Sequence, residues 1–198
     1  VAIQPVSEAR EDQLVWFAQK GDPRAWRALF ERDREMIYRV AYRIVLNRED
    51  ALDIVQETFC KAFINLHRYE GNEDWRPWLR TIAIRTALSR TRSVSRIFRR
   101  LGRRIGERES EQLSASGVPT ALEQIEADRL SQSLHAALGR LSPRQRAVAT
   151  LYFEEGLNGP QIAATLGLRP GTVKIHLARA RRRLQKELRA FQPEPEGV

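Results

Sequence analysis

Apolar side chains recur at steps of three and four along most of this chain, and the strict two-residue alternation of a half-buried strand is nearly absent. The sharpest instance lies near the C-terminus, where Val173, Leu177, Ala180, Leu184 and Leu188 make one apolar stripe. Just upstream, Ile162, Ala163 and Leu166 mark a shorter helix that runs into Gly167. Glycine supplies the positive φ that a tight turn needs, and Pro170 suits the first position of the following helix because its missing N–H would be unpaired there anyway. The spacing is that of a helix-turn-helix.

Longer amphipathic helices are expected earlier. Asp22-Pro23 reads as cap and first residue of a helix through AWRALFERDREMIYRVAYRIVL, and Asn47 caps the next, NREDALDIVQETFCKAFINL. In the second, Ala51, Ile54, Val55, Phe59, Ala62, Phe63 and Leu66 form the inner face, leaving Leu52, Asp53, Gln56, Glu57 and Lys61 outside for a partner. The polar loop HRYEGNED then leads into WRPWLRTIAIRTALSRTR, with Asp74 as cap, Pro77 in the first turn and Leu79, Ile82, Ala83 and Thr86 facing inward. Thr120 with Glu123 and Ser142 with Gln145 are capping-box patterns that open two further helices. The fold class is all-α: two small helical domains, 1–92 and 120–190, joined by a flexible basic linker, 93–119, with a disordered tail, 191–198, and the helix-turn-helix in the second domain.

Charge gives this architecture a partner. The 198 residues carry a net charge of +9, with 34 Lys/Arg against 25 Asp/Glu, which points to a polyanion. The excess is uneven: residues 1–90 hold 15 basic and 14 acidic side chains, 91–121 hold 7 and 3, and 122–198 hold 12 and 8. Arg96, Arg99, Arg100, Arg103, Arg104 and Arg108 crowd the linker. On the last helix Lys174, Arg179, Arg181, Arg182, Arg183, Lys186 and Arg189 surround the apolar stripe against the single acid Glu187. Arg76, Arg80, Arg85, Arg90 and Arg92 can make, with the loop before them, a second basic and aromatic-rich nucleic-acid surface.

Other chemistry finds little support. A lone cysteine, Cys60, excludes an internal disulfide and a multi-thiolate metal site, and reads as a small packed residue. His67, His135 and His176 are too far apart in sequence for a local ligand cluster, so neither metal nor cofactor is expected. No apolar run approaches the roughly 20 residues that cross a bilayer, and the first residues lack a signal-peptide core. A cytoplasmic protein without membrane insertion is the expectation.

Two motif blocks carry a family resemblance. DALDIVQETFCKAF followed by WRPWLRTIA resembles region 2, and LSPRQRAVATLYFEEGLNGPQIAATLGLRPGTVKIHLARARRRL resembles region 4, of the extracytoplasmic-function (group IV) sigma factors in the bacterial sigma-70 family. Their order and spacing span about Gly21 to Leu188. The resemblance implies a subunit without catalytic activity that binds core RNA polymerase, at the clamp helices and flap of its two large subunits, and directs it to minus-ten and minus-thirty-five promoter elements. An anti-sigma factor is a further partner class within the resemblance.

Residue roles follow by carry-over. Asp53, Gln56 and Glu57 fall on the helix face that docks on the clamp helices in the family, and acids with an amide on one exposed stripe can set register against a basic partner. A minus-ten base must leave the duplex to be stacked on and hydrogen-bonded. In similar proteins it enters the loop before the WxxWL-type helix, where Tyr69 offers a stacking face, Gly71 close approach and Asn72 a donor and acceptor. Trp75 and Trp78 read first as core, Trp78 the more strongly, with Trp75 also a DNA-side residue beside Arg76, Arg80 and Arg85. Arg85 stands where the family usually has Asn, exchanging a base-edge contact for a phosphate contact.

For the minus-thirty-five element the carried-over positions are Arg169, Thr172, Lys174, Ile175, Ala178 and Arg179, with Arg182 and Arg183 as phosphate contacts. The family's TVKSRL appears here as TVKIHL, which implies an altered promoter preference, and His176 reads as solvent-side or phosphate-facing. The basic linker takes the place of the connector that in similar holoenzymes runs through polymerase channels.

Two rival readings remain. A helix-turn-helix regulator acting without polymerase leaves the DALDIVQETF and WRPWL blocks unexplained. An enzyme with a helix-turn-helix appendage needs a metal-binding carboxylate cluster or an activated serine; Asp50, Asp53 and Glu57 fit a docking face better.

Overall fold

The computed structural model describes residues 11–70, 74–100 and 133–188, without side-chain detail at 11–12 and 94–100. Gly71, Asn72, the Thr120–Glu123 capping pattern, the linker beyond Arg100, Arg189 and the tail therefore lie outside the described residues. Every regular element within them is helical: α1 Glu11–Gln19, α2 Pro23–Val45, α3 Arg48–Asn65, a 3₁₀ turn Leu66–Arg68, α4 Arg76–Arg100, α5 at 133–139, α6 Pro143–Phe153, α7 Gly159–Leu166 and α8 Pro170–Glu187. The chain divides into two units, Val1–Ile97 and Phe98–Val198. Helix α4 runs on past residue 92, so the boundary expected there falls inside a helix.

Local chemistry sets most helix starts. Asp22 Oδ1 accepts the Arg24 N–H at 2.8 Å and Asn47 Oδ1 accepts that of Asp50 at 2.9 Å, each cap contributing about 1 kcal/mol. Ser142 and Gln145 close the expected capping box on α6, with Pro143 at its first position. A second box, Asn158 with Gln161, opens α7. Between α2 and α3 the chain turns on Leu46, whose φ of 55° is left-handed without being glycine. Its N–H still donates to Tyr42 O at 2.7 Å, which ends α2 within one residue.

In the N-terminal unit α2 packs against both α1 and α3. Leu29, Ile37, Ile44, Ile54, Leu79 and Ile84 are fully enclosed, so α4 closes the same core. Two expectations change here, and one unassigned residue joins the core. Phe63, assigned to the inner face of α3, is 57% exposed and only edges onto Trp26 at 5.1 Å. Cys60, read as packed, is exposed. Thr58, placed on neither face, is buried. The inner stripe of α3 thus runs through 51, 54, 55, 58, 59 and 62, and positions 60 and 63 fall beyond its edge.

In the C-terminal unit α6, α7 and α8 pack against one another. Val148, Leu151, Ile162, Val173 and Ala180 are buried, while Leu177, Leu184 and Leu188 are only half-buried. Gly167 adopts φ 62°, ψ 41°, as its place in the turn requires. Arg146 is buried among these helices, its Nη1 donating to the carbonyls of Leu138 at 3.1 Å and Leu141 at 2.9 Å. Burial lowers its pKa to about 10, and it remains charged at neutral pH.

Candidate functional site

The outer face of α3 presents Leu52, Asp53, Gln56 and Glu57 to solvent, as the periodicity required. The polar groups on it are organised by α4. Arg90 Nε donates to Asp50 Oδ1 at 3.0 Å and Arg90 Nη2 to Asp53 Oδ2 at 2.6 Å. Burial works against the Arg90 charge, but the hydrogen bonds and charges of Asp50 and Asp53 outweigh it and raise its pKa. Lys61 Nζ joins Glu57, at 2.6 Å, to the Thr86 hydroxyl, at 3.1 Å. Leu52 and Ile64, 47% and 67% exposed, add apolar area around these groups. The result is a ridge of acids, an amide and aliphatic side chains held against α4 by two cations.

A second cluster forms where the loop meets α4. Gln19 Nε2 donates to Leu66 O at 3.0 Å and Tyr69 O at 2.8 Å, fixing the chain at the loop's entrance. At its exit Asp74 Oδ1 accepts the Arg76 N–H at 2.9 Å, the expected cap. Tyr69 is half-buried with its ring 5.3 Å from that of Trp78. The two tryptophans reverse the order expected of them: Trp75 is fully enclosed and Trp78 only half-buried. Trp75, expected also as a DNA-side residue, has no exposed surface, and its indole N–H donates to Asp33 Oδ2 at 2.9 Å. Arg76 is also drawn inward, its Nε 2.7 Å from Asp33 Oδ1. Arg80 is half-buried and Arg85 exposed. Sequence reasoning missed Asp33, which is 1% exposed; its immediate neighbours are Arg and Glu, and the signal that could have found it is its spacing of four from both Leu29 and Ile37 on the buried stripe of α2.

The third cluster is α8. Val173 and Ala180 seat it on α6 and α7, so Lys174, Ile175, Ala178, Arg179 and Arg182 stand outward together. Arg169, at the N-cap, is exposed and makes no side-chain cap, and Thr172 is half-buried. The remaining cations divide by role. The Arg181 guanidinium lies over the Tyr152 ring, 5.8 Å from its centroid, and Arg183 donates through Nη1 to the Arg140 carbonyl. His176 is half-buried rather than solvent-side. Burial, then the charges of Arg144 and Arg179, push its pKa below the usual histidine value and favour the neutral imidazole.

Among the described residues no three His, Cys, Asp or Glu side chains come together to hold a metal, and no helix is long and apolar enough to cross a membrane.

Comparison with known proteins agrees with this division. The sigma-70 region 2 family model matches residues 29–97 and the sigma-70 region 4 model residues 131–184. The ECF RNA polymerase sigma factor SigE of Mycolicibacterium smegmatis is 33% identical over 175 residues, 87% of this chain and 66% of that protein. The ECF RNA polymerase sigma-E factor of Escherichia coli is 30% identical over 188 residues, 92% of this chain and 97% of the relative. Among solved structures, the sigma factor RpoE from Bartonella quintana, crystallised with the anti-sigma factor NepR, aligns with a TM-score of 0.62 at 25% identity, covering 80% of this chain and 93% of that one. Two sigma-70 regions in order, and a relative matched along nearly its whole length, place the chain in the extracytoplasmic-function RNA polymerase sigma factors.

Proposed function

We propose that the three clusters divide the work of a sigma subunit. The α3 ridge, with Asp53, Gln56 and Glu57, docks on the clamp helices of core RNA polymerase, and the C-terminal unit rests on the flap. The segment from Tyr69 through Gly71 and Asn72 to Asp74 receives an unpaired minus-ten base. Arg80 and Arg85 take up phosphates beside it, while Trp75 and Arg76 serve from beneath. Helix α8 enters the major groove of the minus-thirty-five element, with Lys174, Ile175, Ala178 and Arg179 toward base edges and Arg169, Thr172, Arg182 and Arg183 toward the backbone.

The observation that carries this reading is the outward row of α8. A helix whose inner stripe is committed to α6 and α7 leaves Lys174, Arg179 and Arg182 on one solvent face, which suits a groove lined with phosphates. Strand opening needs no nucleotide hydrolysis in this scheme, because bases captured from the single strand offset lost stacking and pairing. Sigma factors are non-enzymatic regulatory subunits, and this chain supplies recognition while polymerase makes the bonds. The site of action is the cytoplasm. An anti-sigma protein that covers the α3 ridge is a further partner, in keeping with the complex of RpoE with NepR.

The test is assembly. The full-length chain mixed with core polymerase co-elutes as one complex in gel filtration, and that complex, unlike the free chain, retains a duplex bearing both promoter elements at physiological salt. A chain that binds promoter duplex equally well alone supports the polymerase-independent regulator instead.

A further inference from the structure

Asp33 lies in the middle of α2 and is 1% exposed. Its two oxygens are used for two successive residues at the entrance of α4: Oδ2 accepts the Trp75 indole N–H at 2.9 Å and Oδ1 the Arg76 Nε–H at 2.7 Å. Those residues follow directly on the loop between Tyr69 and Asp74. Trp75 stands 6.3 Å from Trp78, and Trp78 stands 5.3 Å from Tyr69. A continuous path therefore leads from a carboxylate in α2 through two indoles to the ring at the near side of the loop.

Stability alone is a poor account of this acid. A buried ion pair is often no better than a well-packed apolar side chain of the same volume, because the desolvation of both charges offsets their attraction. A carboxylate does have one property that an apolar residue lacks. Its two acceptors fix direction, and here they fix the rotation of the first turn of α4 and the plane of the Trp75 ring. Stacking depends on where a ring plane lies, so a support that sets ring planes acts on base capture.

We propose that Asp33 is a positioning residue for strand opening, holding Trp75 and Arg76 so that Trp78 and Tyr69 meet the unpaired minus-ten base in a fixed orientation. The inference rests on the assignment of the 69–74 segment as the base-receiving loop. Arg76 belongs to this support and not to the DNA contacts.

The experiment uses holoenzyme assembled from core polymerase and the full chain, with Asp33→Asn, Asp33→Leu and Trp75→Phe compared with wild type. Binding to core polymerase and closed-complex formation should stay within about twofold of wild type for all three. The rate of opening on duplex promoter should fall about tenfold for Asp33→Leu. Asp33→Asn, which can still accept the Trp75 N–H, and Trp75→Phe, which keeps a ring but loses that donor, should lose less. All three should return to near wild-type initiation on a template whose minus-ten segment is already unpaired. Asp33→Leu opening duplex at the wild-type rate overturns the inference, as does an equal loss on duplex and pre-opened templates, which marks general damage to the fold. If Asp33→Leu does not fold, Trp75→Phe decides by the same comparison. A wild-type holoenzyme that binds promoter but fails to open it overturns the assignment of the loop itself, and the inference with it.

Discussion

Arg90 donates to Asp53 across the α3–α4 pair at 2.6 Å, so a carboxylate on the proposed polymerase-docking ridge is already held by a cation of its own domain. The same guanidinium engages Asp50 at 3.0 Å. Asp53 remains 55% exposed at the side chain, which leaves it able to face a basic partner while its position is set. Pre-ordering of this kind lowers the side-chain entropy that docking must remove.

Substitution separates the two roles of that acid. Asp53→Ala with Gln56→Ala should weaken assembly with core polymerase by about tenfold, on the order of 1.4 kcal/mol, and leave the helical circular-dichroism spectrum unchanged. Arg90→Ala should cost about 1 kcal/mol of stability, since its pairs are partly exposed, read as a shift in the urea midpoint. A double variant that forms holoenzyme normally removes α3 from the docking account.

Loop substitutions should act late. A base reaches Tyr69 and Asn72 only once the strands part, so Tyr69→Ala and Asn72→Ala should slow open-complex formation more than they weaken initial promoter binding. Permanganate reactivity of minus-ten thymines reads this directly; normal melting in both variants places the pocket elsewhere.

On α8 the cations should divide by what they touch. Arg179→Ala should cost roughly 1 to 3 kcal/mol and relax preference at one promoter position, as loss of a base-edge contact does. Arg182→Ala should weaken all sequences alike and lower the salt slope by about one unit. Arg183 donates to the Arg140 carbonyl, so Arg183→Ala should also lower the melting temperature of the chain. Uniform loss on every minus-thirty-five variant makes Arg179 a phosphate contact.

Acid should loosen the C-terminal unit. Burial and then the Arg146 charge hold His135 below 6.5, and burial followed by Arg144 and Arg179 does the same for His176. The unfolded chain therefore takes up protons near pH 6.5 that the folded chain refuses. Stability from these groups is present above about pH 6.5 and is lost as pH falls toward their folded midpoints. NMR titration should show both imidazole midpoints below 6.5, and His176→Gln should reduce the fall in melting temperature between pH 7.5 and pH 5.5.

What could be read from the sequence was local or periodic. The caps Asp22, Asn47 and Ser142, the turn glycine Gly167 and the stripe of α8 each announce themselves within one or two turns of chain. The stripe placed Asp53, Gln56 and Glu57 outside correctly, yet it misplaced Phe63, which stands at the margin of the helix face, and Cys60, read as packed from the usual burial of a free thiol, stands at the same margin and is exposed. Asp33 was missed for a different reason. Periodicity does mark its place, four residues from both Leu29 and Ile37 on the buried stripe of α2 and off the face of Glu31 and Glu35, but its partners Trp75 and Arg76 lie more than 40 residues away, so nothing local says what would satisfy a carboxylate there. The same long-range bond satisfies the Trp75 indole N–H inside the core, which is why Trp75 can be fully enclosed, against expectation.

A sigma subunit confers promoter choice on polymerase. Run-off transcription with core polymerase and a promoter library, with and without the chain, measures that most directly. Transcripts should appear only when the chain is present, from promoters sharing one minus-ten and one minus-thirty-five element, with Arg179→Ala altering preference at a single minus-thirty-five position. Transcripts whose promoter choice is the same in the presence and absence of the chain contradict that role.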